Sequence, residues 1–154
     1  MDFFDVVKNR HSVREFDSSK KVSDEMIEKI LEAAKLAPSA GGLKSQRFYV
    51  VKDAEKKQAL SRASLDQEFV AHAYAVFVIA GDKDRCGLKY GDRGKNLYVI
   101  QDAAAAAENM FLTATALGLA SCWVGAFDEK EVQKILGLAP NIRPMVIMPV
   151  GYAL

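Results

Sequence analysis

Apolar positions along this chain of 154 residues switch between helical and strand spacing. Phe3, Phe4, Val6 and Val7 predict a short first helix ending near Asn9. Met26, Ile27, Ile30, Leu31 and Ala34 trace one face of a second helix. Ser23 is its N-cap, and Asp24 and Glu25 favour the positive helix end. Pro38 stops it, because the residue before a proline is pushed out of the helical region. Residues 48–51 read as a strand, and Ala54–Ala63 as a polar helix. Residues 74–80 are continuously apolar and bounded by Gly81, the pattern of a strand buried on both faces.

The polar stretch 82–94, with glycines at 87, 91 and 94, predicts a mobile surface loop. A long helix should follow over 95–117, stopped by Gly118. Leu97, Ile100, Ala104, Ala107, Phe111, Ala114 and Leu117 form its apolar stripe, which the alanines from 103 to 107 widen. Such a helix is buried on several sides, in a core or between subunits. Residues 121–124 predict a strand, and Asp128 with Glu131 caps a helix that Gly137 closes. Residues 145–150 read as a last strand, bracketed by Pro144 and Pro149, which argues for strand ends or a sheet edge. The expectation is one α+β domain over residues 1–154, a mixed sheet of about four strands with helices on both faces.

Composition adds exclusions. Half the residues are hydrophobic, and 21 basic against 20 acidic residues leave a net charge of +1. That balance gives no reason to expect nucleic acid or an anionic membrane as partner. Cys86 and Cys122 are far apart and lack neighbours at metal-ligand spacing, so no metal is expected, and Cys122 reads as a small core residue. The start has no signal-peptide pattern and no apolar run reaches membrane-spanning length, so a cytoplasmic protein is the default expectation.

The candidate chemistry lies early in the chain. Arg10, Ser12 and Arg14 alternate with His11 and Val13, so in an extended segment the three polar groups share a face. Two guanidiniums and a hydroxyl suit a phosphate dianion, and the competing reading is a solvated basic strand edge. The small-residue loop Ala37, Pro38, Ser39, Ala40, Gly41 and Gly42 follows the second helix directly.

With that loop the chain resembles the FMN-dependent nitroreductases. The resemblance runs from Arg10–Phe16 through 30–34 into 37–41, then 47–51 and 102–109, and ends with 118–125 and 149–152. It implies a homodimer of α+β subunits holding two FMN molecules at the subunit interface. Arg10, Ser12 and Arg14 would hold the phosphate and ribityl chain, with His11 nearby through backbone contacts. Pro38, Ser39 and Ala40 of the other subunit would pack on the flavin rings, and Gln67 would reach the flavin or its ribityl chain. Val124, Gly125 and Ala126 would lie at the reactive edge, where a backbone N–H could stabilise charge. The small residues at 39–42 and 125–126 allow a flat ring to approach the backbone closely. Two departures stand out: Gly42 where the family commonly has Asn, and an ending at Leu154 without the basic tail of larger members. Both predict weakened flavin binding, which Lys44 could offset unless it is a plain surface lysine.

The flavin would supply the hydride chemistry, which accords with the lack of a recognisable catalytic triad or carboxylate pair. Neither His11 nor His72 has partners in sequence that mark a general base. The implied activity is transfer of reducing equivalents from NAD(P)H to nitroaromatic, quinone or related acceptors by a ping-pong mechanism. No Gly-x-Gly-x-x-Gly fingerprint indicates a separate nicotinamide domain. Competing classes are a flavin-binding or sensing dimer with little turnover, a cofactor-free structural dimer, and a dehalogenating or flavin-fragmenting relative on the same fold.

Overall fold

The computed structural model describes residues 1–154. Its helices are α1 (Phe3–Asn9), α2 (Asp24–Lys35), α3 (Ala54–Ala63), α4 (Phe69–His72), α5 (Lys83–Arg93), α6 (Val99–Ala116) and α7 (Glu129–Leu136). The strands are β1 (Gln46–Val51), β2 (Ala75–Asp82), β3 (Ala120–Ser121) and β4 (Ile142–Gly151), in the sheet order β1-β2-β4-β3.

Two helices begin where the sequence places their caps, Ser23 and Asp128, and Asp53 caps a third in the same way. The Ser23 hydroxyl accepts from the Met26 N–H, and the Asp53 carboxylate from that of Lys56. Asp128 accepts from the N–H groups of Lys130 and Glu131 at the start of α7, whose far end closes on left-handed Gly137. Each side chain satisfies donors that the first helical turn leaves unpaired.

β2 divides the interior. Ala75, Phe77 and Ile79 enter a core with Ile27, Ile30 and Ala34 of α2 and with Ala103, Ala107, Met110 and Phe111 of α6. Val76 and Val78 point the opposite way, against Leu60 of α3, Val70 of α4, Val132 of α7 and Ile147 of β4. Helices therefore cover both faces of the sheet. At roughly 25 cal/mol per Å² of apolar area, these two layers are the main stabilising contribution.

Several expectations need correction. Every pair of strands is antiparallel, and the only parallel pairing is the single bridge Ser12↔Ser121, so the sheet is not mixed. β4 is central rather than at an edge, despite its prolines. Pro144 falls where the β2–β4 register shifts, a bulge that tolerates a missing donor. Pro149 lies on the side of β4 toward β3, between the Ile147↔Val124 and Gly151↔Ala120 pairs, where the partner strand is interrupted. Residues 121–124 accordingly form two short pairings, not one continuous strand.

The stretch 82–94 is helical rather than loop. Asp82 caps α5 by accepting the Arg85 N–H, and Cys86 is fully buried. Gly87 makes room for the stem of Lys95, and Gly94 lets the backbone meet that of Cys86. Three glycines lower the intrinsic helix preference by about 1 kcal/mol each, and packing that only glycine permits overrides it. The chain breaks at Gly91, makes one π-helical turn over Gly94–Tyr98 and only then enters α6. The predicted helix over 95–117 is thus an α-helix from Val99, preceded by a wider turn.

Candidate functional site

The predicted site residues fall into three groups arranged around α6. The first is the segment after α1. Its backbone is tied to β3 by the Val13 N–H, which donates to the Ser121 carbonyl at 2.9 Å. Val13 packs against Phe16, Ala73 and Ala120. Ser12 and Arg14 occupy the alternate, exposed positions, and Arg10 is half-buried at the end of α1. Neither guanidinium has an ion pair or hydrogen bond within the chain, so both charges are free for an external anion. The adjoining cleft, about 210 Å³, is lined from this segment by Asn9, His11 and Val13. His11 Nδ1 lies 2.8 Å from the Asn9 carbonyl.

The second group is the loop after α2. Pro38, Ser39 and Ala40 line a cleft of about 470 Å³ with Tyr90, Tyr98, Gln101, Asp102 and Ala105. The loop is held at several points. The Ala40 N–H donates to Asp102 Oδ1 at 2.9 Å, while Asp102 Oδ2 accepts the Ser45 hydroxyl at 2.7 Å. Gln46 Nε2 donates to the Pro38 carbonyl at 3.0 Å, and Ser39 Oγ accepts the Lys44 N–H at 2.9 Å. Gly41 and Gly42 both have positive φ, at 56° and 67°, and a Cβ on Gly42 would meet nothing. Lys44 is not a spare cation: its ammonium donates to the carbonyls of Lys35 and Ala37 at the end of α2.

The third group follows β3. Val124 is buried and pairs with Ile147, leaving Gly125 and Ala126 exposed beyond it. Gly125 lines a cleft of about 250 Å³ with Ile100, Ala104, Trp123, Phe127 and Met145 among its neighbours. Trp123 is 41% exposed and stacks on Phe111 at 5.3 Å. Arg143 and Glu129 close one side with a bidentate pair at 2.8–3.2 Å, which holds the guanidinium above its ordinary pKa.

Within one chain the three groups do not converge on a single cavity. Ile100 and Ala104 face one cleft, whereas Gln101, Asp102 and Ala105 face another on the adjacent flank of α6. Gln67, on the turn between α3 and α4, lines none of these three clefts, and its amide donates to the Ser64 carbonyl at 2.8 Å.

Sequence reasoning missed Asp102 as the anchor of the 38–40 loop. An acidic residue fully enclosed by an alanine-rich helix face was the available signal, because a buried carboxylate requires partners. Tyr90, in edge-to-face contact with Tyr98 at 5.1 Å, is hidden from sequence because the stretch 82–94 has the pattern of a loop.

The chain is an α+β fold with two unpaired arginines on the segment after α1 and small-residue loops on either flank of a central helix. Residues 7–67 and 62–152 match the Nitroreductase family, and the chain belongs to that family. A protein of Archaeoglobus fulgidus provisionally named NADH dehydrogenase/NAD(P)H nitroreductase is 35% identical over 96% of this chain and 83% of its own length. An FMN-dependent nitroreductase of Clostridium difficile R20291 superposes with a TM-score of 0.83 at 31% identity, covering 96% of this chain and 86% of that one. A nitroreductase family protein of Clostridium novyi NT gives a TM-score of 0.90 at 26% identity over 100% and 86% of the two chains. No helix here is long and apolar enough to cross a membrane.

Proposed function

We propose that this protein is an FMN-dependent oxidoreductase that takes reducing equivalents from NAD(P)H and passes them to nitroaromatic, quinone or related acceptors. The observation that supports it most directly is the pair Arg10 and Arg14, both without an internal partner, on a segment anchored to β3. Charge of this kind beside Ser12 fits a terminal phosphate. The names of the relatives point the same way.

The residues present suit that cofactor. Arg10, Ser12 and Arg14 would bind its phosphate end, with His11 and Gln67 as further contacts. Pro38, Ser39, Ala40 and Gly42 would bound its ring system, and Val124, Gly125 and Ala126 its reactive edge. FMN, when bound, accepts and donates hydride. The chain's own part is to hold donor and acceptor in turn against one open face, which gives ping-pong kinetics, and to aim a backbone N–H at developing charge.

The separation of the three groups supports a shared site in a homodimer. Ile100 is exposed, Ala104 and Ala105 are half-exposed, and these positions lie between the two clefts of α6. Small residues there allow a second copy to approach, bringing its 38–40 loop toward the Gly125 cleft. Two buried free cysteines suit work in the reducing cytoplasm.

The test is anaerobic stopped-flow absorbance of the purified flavin-loaded protein. Bleaching with NADH or NADPH, then recovery on adding a quinone or nitroaromatic, is the expected result. A loaded protein that neither bleaches with either nicotinamide nor reoxidises with these acceptors after chemical reduction would refute oxidoreductase turnover.

A further inference from the structure

Beside the Gly125 cleft lies a second cavity of about 440 Å³, lined by polar and charged side chains and Pro140. Glu129 and Arg143 belong to both and form the wall between them. Four cations, Lys83, Lys95, Lys130 and Arg143, border this cavity together with the carboxylates of Asp128 and Glu129.

The carboxylates are already engaged. Asp128 accepts the N–H groups of Lys130 and Glu131 as the N-cap of α7, and Glu129 is clamped on Arg143. The ammonium groups of Lys83, Lys95 and Lys130 have no ion pair or hydrogen bond within the chain. With four cations against two carboxylates, the cavity has a positive excess of two on a protein whose net charge is only +1. Lys95 is steered as well: its stem crosses α5 over Gly87, where any side chain would collide with it. Lys83 is fixed at its backbone, which donates to the Asn141 carbonyl at 3.0 Å.

We propose that this polar cavity is a phosphate-monoester subsite that takes the 2′-phosphate of NADPH, while the planar part of the donor occupies the apolar cleft beside Trp123 and Gly125. The assignment deepens the oxidoreductase reading and rests on it. A small dianion suits a cavity lined by charge and not by rings, and ammonium groups serve it as point charges. A largely apolar slot beside a cationic one sorts a ligand by its two ends. NADH lacks the group that the cationic end selects.

The test compares 2′,5′-ADP, 5′-AMP and inorganic phosphate by isothermal titration calorimetry against the purified protein at low salt. The 2′-phosphorylated nucleotide should bind about tenfold tighter than 5′-AMP or better, and the preference should shrink as salt screens the charges. The triple variant Lys83→Gln, Lys95→Gln, Lys130→Gln should keep its melting temperature and its 5′-AMP affinity but lose the preference. In turnover, the same variant should raise KM for NADPH while leaving KM for NADH unchanged. No preference in the unaltered protein, or one that survives the triple variant, overturns the proposal. Displacement of 2′,5′-ADP by an equal concentration of inorganic phosphate overturns the nucleotide as the occupant. A clear 2′-phosphate preference in a protein that oxidises neither nicotinamide would count against the oxidoreductase reading alone.

Discussion

Asp102 on α6 accepts the N–H of Ala40 at 2.9 Å, across 62 residues of sequence, and so fixes the loop that lines one flank of the helix. Its other oxygen takes the Ser45 hydroxyl at 2.7 Å, which leaves the buried carboxylate bonded through both oxygens. Asp102→Ala removes both acceptors and strands two donors, at a cost of about 3 kcal/mol or more. Asp102→Asn keeps an oxygen for Ala40 and should cost distinctly less. Denaturant unfolding gives the stabilities, and hydrogen exchange at the Ala40 amide reports the loop. Equal stability of the Ala variant and the unaltered protein would remove Asp102 from this role.

Replacing Arg10 and Arg14 together by alanine should lower flavin content greatly while shifting fold stability by no more than about 0.5 kcal/mol, because neither guanidinium has a partner to lose. Absorbance near the flavin bands, relative to protein, is the measurement. Undiminished flavin content would exclude these residues as the phosphate ligands.

The two alanines of the α6 stripe should behave differently. Ala107 is fully buried in the core of its own subunit, so Ala107→Glu buries an unpaired charge and should unfold the chain. Ala104 is half-exposed, and Ala104→Glu should leave the fold intact while breaking a dimer packed on that face. Sedimentation distinguishes the two. A stable monomer that still holds flavin at micromolar concentration would contradict the shared site.

Gly42 should accept asparagine. Its φ of 67° is one that asparagine tolerates best among residues with a side chain, and a Cβ there meets nothing. Gly42→Asn is expected to cost about 1 kcal/mol or less and to tighten flavin binding. Flavin dissociation followed by fluorescence checks it, and weaker retention would show that the glycine is preferred for the site.

Stability should decline in acid. Hydrogen bonds from Ser19 to Asp17, from Lys52 to Asp24 and from Lys29 to Glu25 hold all three carboxyls below their ordinary values of 3.8, 3.8 and 4.5. Lowered folded pKa values stabilise the fold above those values, and the contribution is lost as pH falls through the folded ones. Lys29 and Lys52 are raised above 10.5, so their contribution persists until alkaline pH. These surface pairs therefore add no pH dependence of their own between those limits. Asp24→Asn should soften the acid limb, and an unchanged limb would leave this pair without a role.

Local chemistry determined much of this protein from sequence. Ser23, Asp53 and Asp128 bind backbone donors within their own first turns, and the unbroken apolar run of β2 could be satisfied only between two layers. Alternation predicts Arg10, Ser12 and Arg14 on one side of an extended segment. Tertiary structure decided what depended on distant partners. β4 became central because a bulge and an interrupted neighbour absorb its prolines, and neither is visible from β4 itself. Residues 83–93 became helical because glycines that disfavour a helix in isolation permit contacts with Cys86 and Lys95 that only the packed chain supplies. Asp102 acquired its role only when α6 met the 38–40 loop, since a carboxylate's partners across 62 residues are set by packing and not by spacing.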